Sequence, residues 1–296
     1  MELRQLEYFV AVAEEANFTR AAARVHISQS GVSAQIRALE RELGAELIDR
    51  SGGTATLTTA GQAALTRARA TLAAAGSVRQ SVDDVAGLLR GSLRVGMVTA
   101  CTVPQLFDAL ARFHSAHPGV ELALHEDNSD RLVTDVRAGE LDLALVGVAA
   151  RPPDGLESMV VIDERIVAAV PPEHPLAAHE KATLAQVCEH SIVALPPGTG
   201  IRTVFDRDCG GVGLSPSITL QASAPDAVAD LAARGLGVAI LSQSMAGFYD
   251  DRLVAVELTD SHTAALLALV WRPTMSPALT ELVTLATRSF SESSSR

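Results

Sequence analysis

Long apolar runs are missing from this sequence. The longest, Leu143 to Ala150 and Ala264 to Trp271, reach only eight residues, against the roughly 18 needed to span a bilayer, so neither a transmembrane helix nor a membrane partner is expected. The first residues carry Glu2, Arg4, Glu7, Glu14 and Glu15 with no apolar core of the kind a secretory signal needs, which predicts a cytoplasmic protein. Cysteine is scarce. Cys101, Cys188 and Cys209 are odd in number, widely spaced and without a CxxC pair, which excludes a disulfide framework and a zinc site and suits a reducing compartment. Catalytic motifs are absent too: there is no G-x-S-x-G elbow, P-loop or H-E-x-x-H helix, and Gly198-Thr199-Gly200 lacks the third glycine of a dinucleotide loop. No enzyme, cofactor or metal is expected, since His114 and His117 have no third ligand within sequence reach and read as a solvated helix face.

What is present is a globular composition, 48% hydrophobic and 20% charged over 296 residues, long enough for two or three domains. The net charge of −11 counts against a polyanionic partner until it is divided by segment. Residues 1 to 90 hold ten Arg and ten acidic residues, whereas residues 91 to 296 hold 14 basic and 25 acidic ones. Any contact with nucleic acid must therefore come from a local basic face in the first segment.

That segment reads as helical. Leu3, Leu6, Val10 and Ala13 recur at helical spacing, Asn17 and Thr19 offer caps for a helix beginning near Arg20, and Ser28 caps another that carries Val32, Ile36, Leu39 and Leu43 inward and stops at Gly44. The opposite face holds Ser30, Ala34, Arg37 and Arg41, flanked by Gln29 and Ser33. Small polar groups bordered by Arg suit a helix that reads the major groove, although a solvated surface helix fits the same pattern. Ser51 to Thr54 resembles a hairpin tip. From Thr59 to Leu89 an Ala-rich stretch places Leu65, Ala68, Leu72, Ala75, Val82, Ala86 and Leu89 at near-heptad spacing, which predicts a dimerising helix.

Beyond Gly91, short apolar strands (Leu93 to Val98, Val120 to Leu124, Leu141 to Val146, Ile192 to Leu195, Ile218 to Ala222, Val238 to Leu241) alternate with helices near Val103 to Ala116, Arg131 to Ala138, Ile201 to Asp208 and Asp226 to Ala233. The pattern predicts an α/β part with mainly parallel sheets in two lobes, ligands at the carboxyl ends of strands, and a frayed polar tail from Ser291. A solute-binding protein would match the lobes but not the first 90 residues.

The run from Phe18 to Glu40, continued by Glu42-Leu43-Gly44, Leu47, Asp49-Arg50 and Leu57-Thr58-Thr59-Ala60-Gly61, closely resembles the winged helix-turn-helix of LysR-type transcriptional regulators. The similarity extends through Gly91 to Gly96, His117 to Val120, Ala138 to Leu145, Pro172 to Leu176 and Gly235 to Ala239. It implies a winged helix-turn-helix over 1–58, a linker and dimerisation helix over 59–90, and a two-lobed effector domain similar to periplasmic binding proteins over 91–296. Lobe one is expected at about 91–161 and 266–296, lobe two at about 162–265. The implied partners are double-stranded promoter DNA, a small-molecule effector, a second copy in a homodimer or homotetramer, and RNA polymerase. The DNA-contacting set would be Thr19, Arg20, Ser28, Gln29, Ser30, Ser33, Ala34, Arg37, Arg41 and Arg50. Departures bear on specificity: Ser30 stands where many members have Pro, Ala34 where Arg is frequent, and Gly52, Gly53, Thr54 and Ala55 leave the wing uncharged, so the salt dependence of binding should be modest.

The effector cleft would be lined by Thr99, Ala100, Cys101 and Thr102, by Asn128 and Ser129, by Gly147, and by Pro197, Gly198, Thr199 and Gly200 leading into Arg202. Hydroxyls and helix N-terminal amides favour a small polar anion, although the threonines suit plain caps and Arg202 could pair with Asp206 one turn on. Cys101 and Cys209 raise the reading of a redox sensor, but peroxide sensors of this family have their reactive cysteine where Gly200 stands and only the partner position, near Cys209, is Cys here, so Cys101, Cys188 and Cys209 are expected to be buried or inert thiols.

Overall fold

The computed structural model describes residues 1–50, 54–85, 89, 91–100 and 103–293. Its elements in chain order are α1 (Leu3–Glu15), α2 (Phe18–Arg24), α3 (Gln29–Leu43), β1 (Ile48–Asp49), β2 (Thr56–Leu57), α4 (Thr59–Val85), β3 (Gly91–Val98), α5 (Pro104–Ala116), β4 (Val120–Asp127), α6 (Ser129–Ala138), β5 (Leu143–Ala149), β6 (Glu157–Glu164) and β7 (Ile166–Val170). There follow β8 (Lys181–Ala182), α7 (Leu184–Cys188), β9 (Ile192–Ala194), α8 (Gly200–Gly211), β10 (Ile218–Gln221), α9 (Pro225–Ala233), β11 (Val238–Ser242), α10 (Gln243–Gly247), β12 (Val254–Leu258), β13 (Ala265–Trp271) and α11 (Pro277–Ser293). They form two compact units, one spanning Met1–Leu88 and the other taking up nearly all of the chain from Leu89 onward.

In the first unit local chemistry sets the helix ends. Asn17 Oδ1 accepts the Thr19 and Arg20 N–H groups at 2.8 and 3.0 Å, so α2 starts at Phe18, earlier than expected, and Thr19 lies inside it. Ser28 Oγ accepts the Gly31 N–H at 3.1 Å and Gly44, at φ 69°, ends α3. Leu6, Phe9, Val12, Ala21, Val32, Ile36 and Leu39 make the core. Leu43, expected inward, is 46% exposed; the chain turns at Gly44, and Leu47 and Ile48 fill the core there instead. β1 pairs antiparallel with β2, Ile48 opposite Leu57. The hairpin tip, with Gly52 and Gly53, lies outside the described residues. The 27-residue α4 spends the start of its stripe on this unit: Leu65 and Ala68 are buried in its core and Leu72 packs on it. That part of the stripe is therefore not open to a partner helix, because α1 already covers it. The side chains of Val82 and Ala86 lie outside the described residues.

In the second unit, one sheet has the order β4-β3-β5-β13-β6 and the other β10-β9-β11-β7-β12-β8. Among the described residues both are mixed: the first sheet is parallel in two of its four pairings, and the second in three of its five, β9 with β10 and β11 and β8 with β12. β3 runs parallel to β4 and β5, but β13 is antiparallel to β5 and β6; likewise β7 is antiparallel to β11 and β12. The reason is the connectivity: the chain leaves the first sheet between β6 and β7 and returns between β12 and β13, and the returning strand enters head to tail. Alternation along the strands sorts the cores. Leu143, Leu145 and Leu269 face α5 and α11 with Phe113 and Leu282, whereas Ala144, Val146 and Ala268 face α6 with Leu132 and Val136. α8 packs against β5 and β13 of the first lobe as well as β7 and β11 of its own.

Candidate nucleic-acid interface and interlobe site

On α3, Val32, Ile36 and Leu39 are fully buried, so the rotation of the helix is determined and its outer face is known. Gln29, Ser30, Ala34, Arg37 and Arg41 are exposed, Ser33 is half-buried, and Ser28 is exposed but engaged as the cap, its hydroxyl 3.2 Å from Ser30 Oγ. Charge along this surface is unevenly neutralised. Arg20 pairs with Glu15 at 3.2 Å and Arg24 with Glu14 at 2.6 Å, while Arg50 pairs with Glu40 at 2.8 Å and lies over the Phe18 ring at 5.3 Å. Arg37 and Arg41 form no ion pair among the described residues, although Arg41 Nε donates to the Arg37 carbonyl at 3.2 Å. With Ala34, Glu40, Glu46 and Arg50 they border an open hollow of about 780 Å³.

Glu40 is a residue that sequence reasoning missed. It is only 9% exposed, and its Oε1 accepts the Leu47 and Ile48 N–H groups at 3.0 and 3.1 Å while Oε2 holds Arg50. The carboxylate thus joins the end of α3 to β1. Its signal was a charge four residues after Ile36, on the edge of the core stripe, where a buried carboxylate needs partners. Glu14 anchors α1 in a similar way: burial raises its pKa, but the Arg69 and Arg24 guanidinium groups outweigh that and hold it below the usual carboxylate range.

At the second candidate site, the strand ends of the two lobes meet. Asp130 N–H donates to the Gly198 carbonyl at 3.2 Å, and the buried Ser129 Oγ accepts the Gly147 N–H at 3.0 Å. Gly200 lies so close to β5 that a Cβ on it would fall 2.4 Å from the Gly147 carbonyl carbon. Asn128 Oδ1 accepts the Arg131 N–H at 3.0 Å and would be 3.2 Å from a Cβ on Gly198. Thr199 does not cap α8; its hydroxyl donates to the Pro196 carbonyl at 2.9 Å, and no side chain caps the helix. The structure therefore brings Asn128, Gly147, Thr199 and Gly200 to one junction, with Pro197 exposed beside it.

Arg202 is elsewhere. Its side chain is 13% exposed, its Nε bonds both Asp206 oxygens at 2.9 Å, and Nη1 approaches Leu195 O and Gln221 Oε1 at 3.4 Å. The i+4 pairing left open above is the one observed. Thr99 is exposed, and Ala100, at φ 56°, donates its N–H to Glu126 Oε2 at 3.4 Å. Cys101 and Thr102 lie outside the described residues. Among the described residues no cluster of three or more metal-ligating side chains is found, and no helix is long and apolar enough to cross a membrane.

Comparison with known proteins supplies the remaining observations. Residues 3–62 match the family described as "Bacterial regulatory helix-turn-helix protein, lysR family", and residues 86–291 match "LysR substrate binding domain". A relative named "Uncharacterized HTH-type transcriptional regulator YnfL", from Escherichia coli (strain K12), is 34% identical over 284 residues, covering 92% of each chain. A full-length OxyR variant from Pseudomonas aeruginosa shares the fold, with a TM-score of 0.71 at 24% identity over 98% of this chain and 94% of that one. Full-length CbnR, solved in complex with its target DNA, gives a TM-score of 0.62 at 26% identity, covering 98% of this chain and 100% of that one.

Proposed function

Because the chain belongs to the LysR family of transcriptional regulators, we propose that it binds promoter DNA sequence-specifically through α3 and that a small molecule at the junction of its two lobes controls transcription. It is a DNA-binding regulator with an effector domain, not an enzyme. The observation that carries the promoter reading is the outer face of α3, where Gln29, Ser30 and Ser33 lead into Arg37 and Arg41, which, unlike Arg20 and Arg50, form no ion pair among the described residues. Thr19 is exposed at the start of α2 and suits a phosphate contact. Arg20 and Arg50, already paired, are secondary. The protein would act in the cytoplasm as a homodimer or homotetramer and engage RNA polymerase from the promoter. A fluorescence-anisotropy titration against the DNA upstream of its own gene tests this: tight, competitor-resistant binding that Arg37→Ala weakens supports it, and equal affinity for unrelated duplex contradicts it.

For the effector, the uncapped start of α8 facing the first lobe favours a small polar anion. A second reading rests on the carboxylates beside the same junction: Glu126 accepts the Ala100 amide, and Asp130 Oδ2 would lie 3.3 Å from a Cβ on Gly198. They favour a ligand that also carries donors, such as an amino acid or hydroxy acid. Thermal-shift screening of simple carboxylates against amino and hydroxy acids separates the two. An apolar compound that stabilised the protein, and still did so in Thr199→Ala, would overturn both.

A further inference from the structure

Two helices of the second lobe each bring a thiol to one place. α7 ends on Cys188, and α8 carries Cys209 in its C-terminal half. The sulphurs stand 3.9 Å apart and both are free thiols. Their access to solvent differs: Cys209 is fully buried in the lobe core beside Val204 and Phe205, whereas Cys188 is half-buried at the edge of it. Closing 3.9 Å to the roughly 2 Å of a disulfide brings the C-terminal end of α7, anchored in the core by Val187, toward α8. The geometry points to Cys188 and Cys209 as a dithiol that closes to an intramolecular disulfide by exchange with a small external disulfide, Cys188 meeting the oxidant and Cys209 resolving it.

The chemistry follows from exposure. The Cys188 thiolate attacks one sulphur of the external disulfide, forming a mixed disulfide and releasing one small thiolate, which takes up the proton Cys188 lost. The Cys209 sulphur then displaces the second small thiolate from Cys188. One bond between protein sulphurs forms, one external disulfide is reduced to two thiols, and two electrons pass outward. Burial, the neighbouring Cys188, and the carboxylates of Asp206 and Asp208 push Cys209 up to about 12. Burial and Asp260 also raise Cys188, against the hydrogen bond from Cys209. Both groups are therefore thiols near neutral pH, and the exchange is slow. Its consequence falls on α8, the helix whose N-terminal Gly200 abuts the other lobe; a bond at Cys209 ties the far end of that helix to α7.

The inference does not depend on the promoter-binding reading. The full-length protein is incubated with oxidised glutathione at mildly alkaline pH, quenched with acid, and examined by intact mass and peptide mapping. The expected product has lost two hydrogens, carries no glutathione, and yields a single cross-linked peptide pair joining Cys188 to Cys209. In Cys209→Ser the mixed disulfide should accumulate at Cys188, and in Cys188→Ser the buried Cys209 should stay unmodified in the folded protein. Three results overturn the proposal: both thiols still alkylated in denaturant after the exposure, a persistent glutathione adduct on Cys188 in the unaltered protein, or a cross-link to Cys101. Modification of Cys209 in folded Cys188→Ser at the rate seen for the unaltered protein overturns the assignment of roles. Should either variant fail to fold, the mass and peptide map of the unaltered protein still decide.

Discussion

Gly200→Ala and Gly147→Ala probe the lobe junction from its two sides and should behave differently. A Cβ on Gly200 would lie 2.4 Å from Gly147 C, 2.6 Å from Val148 N and 2.7 Å from Gly147 O. All three are backbone atoms of β5, held by pairing with β13, where Gly147 lies opposite Leu267 and Val148 opposite Leu266, and by the Gly147 N–H bond to Ser129, so none can swing aside. Reaching ordinary carbon contact requires a displacement of about 1 Å between α8 and β5. Overpacking of that kind costs about 1–3 kcal/mol, and the better helix propensity of Ala offsets only part of it at a first-turn position. A net loss of about 1–2 kcal/mol corresponds to a fall of roughly 3–6 °C in the thermal midpoint for a domain of this size. A Cβ on Gly147 meets its nearest atoms at 3.5 and 3.6 Å, which is normal packing, and Ala suits a strand better than Gly; its midpoint should stay within about 2 °C. Calorimetry measures both, and hydrogen exchange should show the Gly200→Ala loss concentrated in α8 and β5. Equal responses from the two variants, or a Gly200→Ala protein as stable as its parent, would refute the close approach of the lobes at this point.

The arginines of the first unit should divide by function: Arg41→Ala is expected to lower the slope of log K against log salt by about 0.9, one phosphate contact, whereas Arg50→Ala should leave the slope unchanged and lower the stability of the unit, read by anisotropy at several salt concentrations and by urea unfolding. Glu40→Gln keeps the size of the side chain but sets its amide against Arg50, and should destabilise by about 1–3 kcal/mol in the same urea assay; no loss would mean that the Leu47, Ile48 and Arg50 contacts matter little. His174 is held below the usual histidine range by burial and then by His190, and its Nδ1 accepts the Leu176 N–H at 3.2 Å. The fold favours the neutral ring and the unfolded chain binds the proton more readily, so stability is full above about 6.5 and falls as pH drops through that value toward the lower folded one; His174→Gln should flatten this part of a pH–stability profile. Val78, 65% exposed on α4, is the better probe of oligomerisation than Leu72, which packs on its own unit: Val78→Glu should give smaller species by light scattering with the thermal midpoint unchanged, and an unaltered mass would count against α4 as a partner-binding helix.

Much of the first unit could be read from neighbours in the chain. The cap at Ser28, the stop at Gly44, the inward stripe of Val32, Ile36 and Leu39, and the start of α4 near Thr59 all depend on groups within a few residues of one another, so periodicity and capping chemistry suffice to place them. The strands β3, β4, β5, β9, β10 and β11 and the helices between them were legible for the same reason. The antiparallel strands β6, β7, β12 and β13, and the terminal helix α11, were not, because their direction and pairing follow from where the chain crosses between sheets. Residue roles divide in the same way. That Arg37 and Arg41 face outward follows from helical rotation alone, but that Arg50 is held by Glu40 over Phe18 while Arg41 keeps its charge unpaired depends on partners brought together from separate elements. The pairing of Arg202 with Asp206 was open to either reading because its competitors, Leu195 O and Gln221, are distant in sequence. Gly147 against Gly200, and Cys188 beside Cys209, are likewise contacts between residues far apart along the chain, and the packing of α8 between two sheets is what creates them.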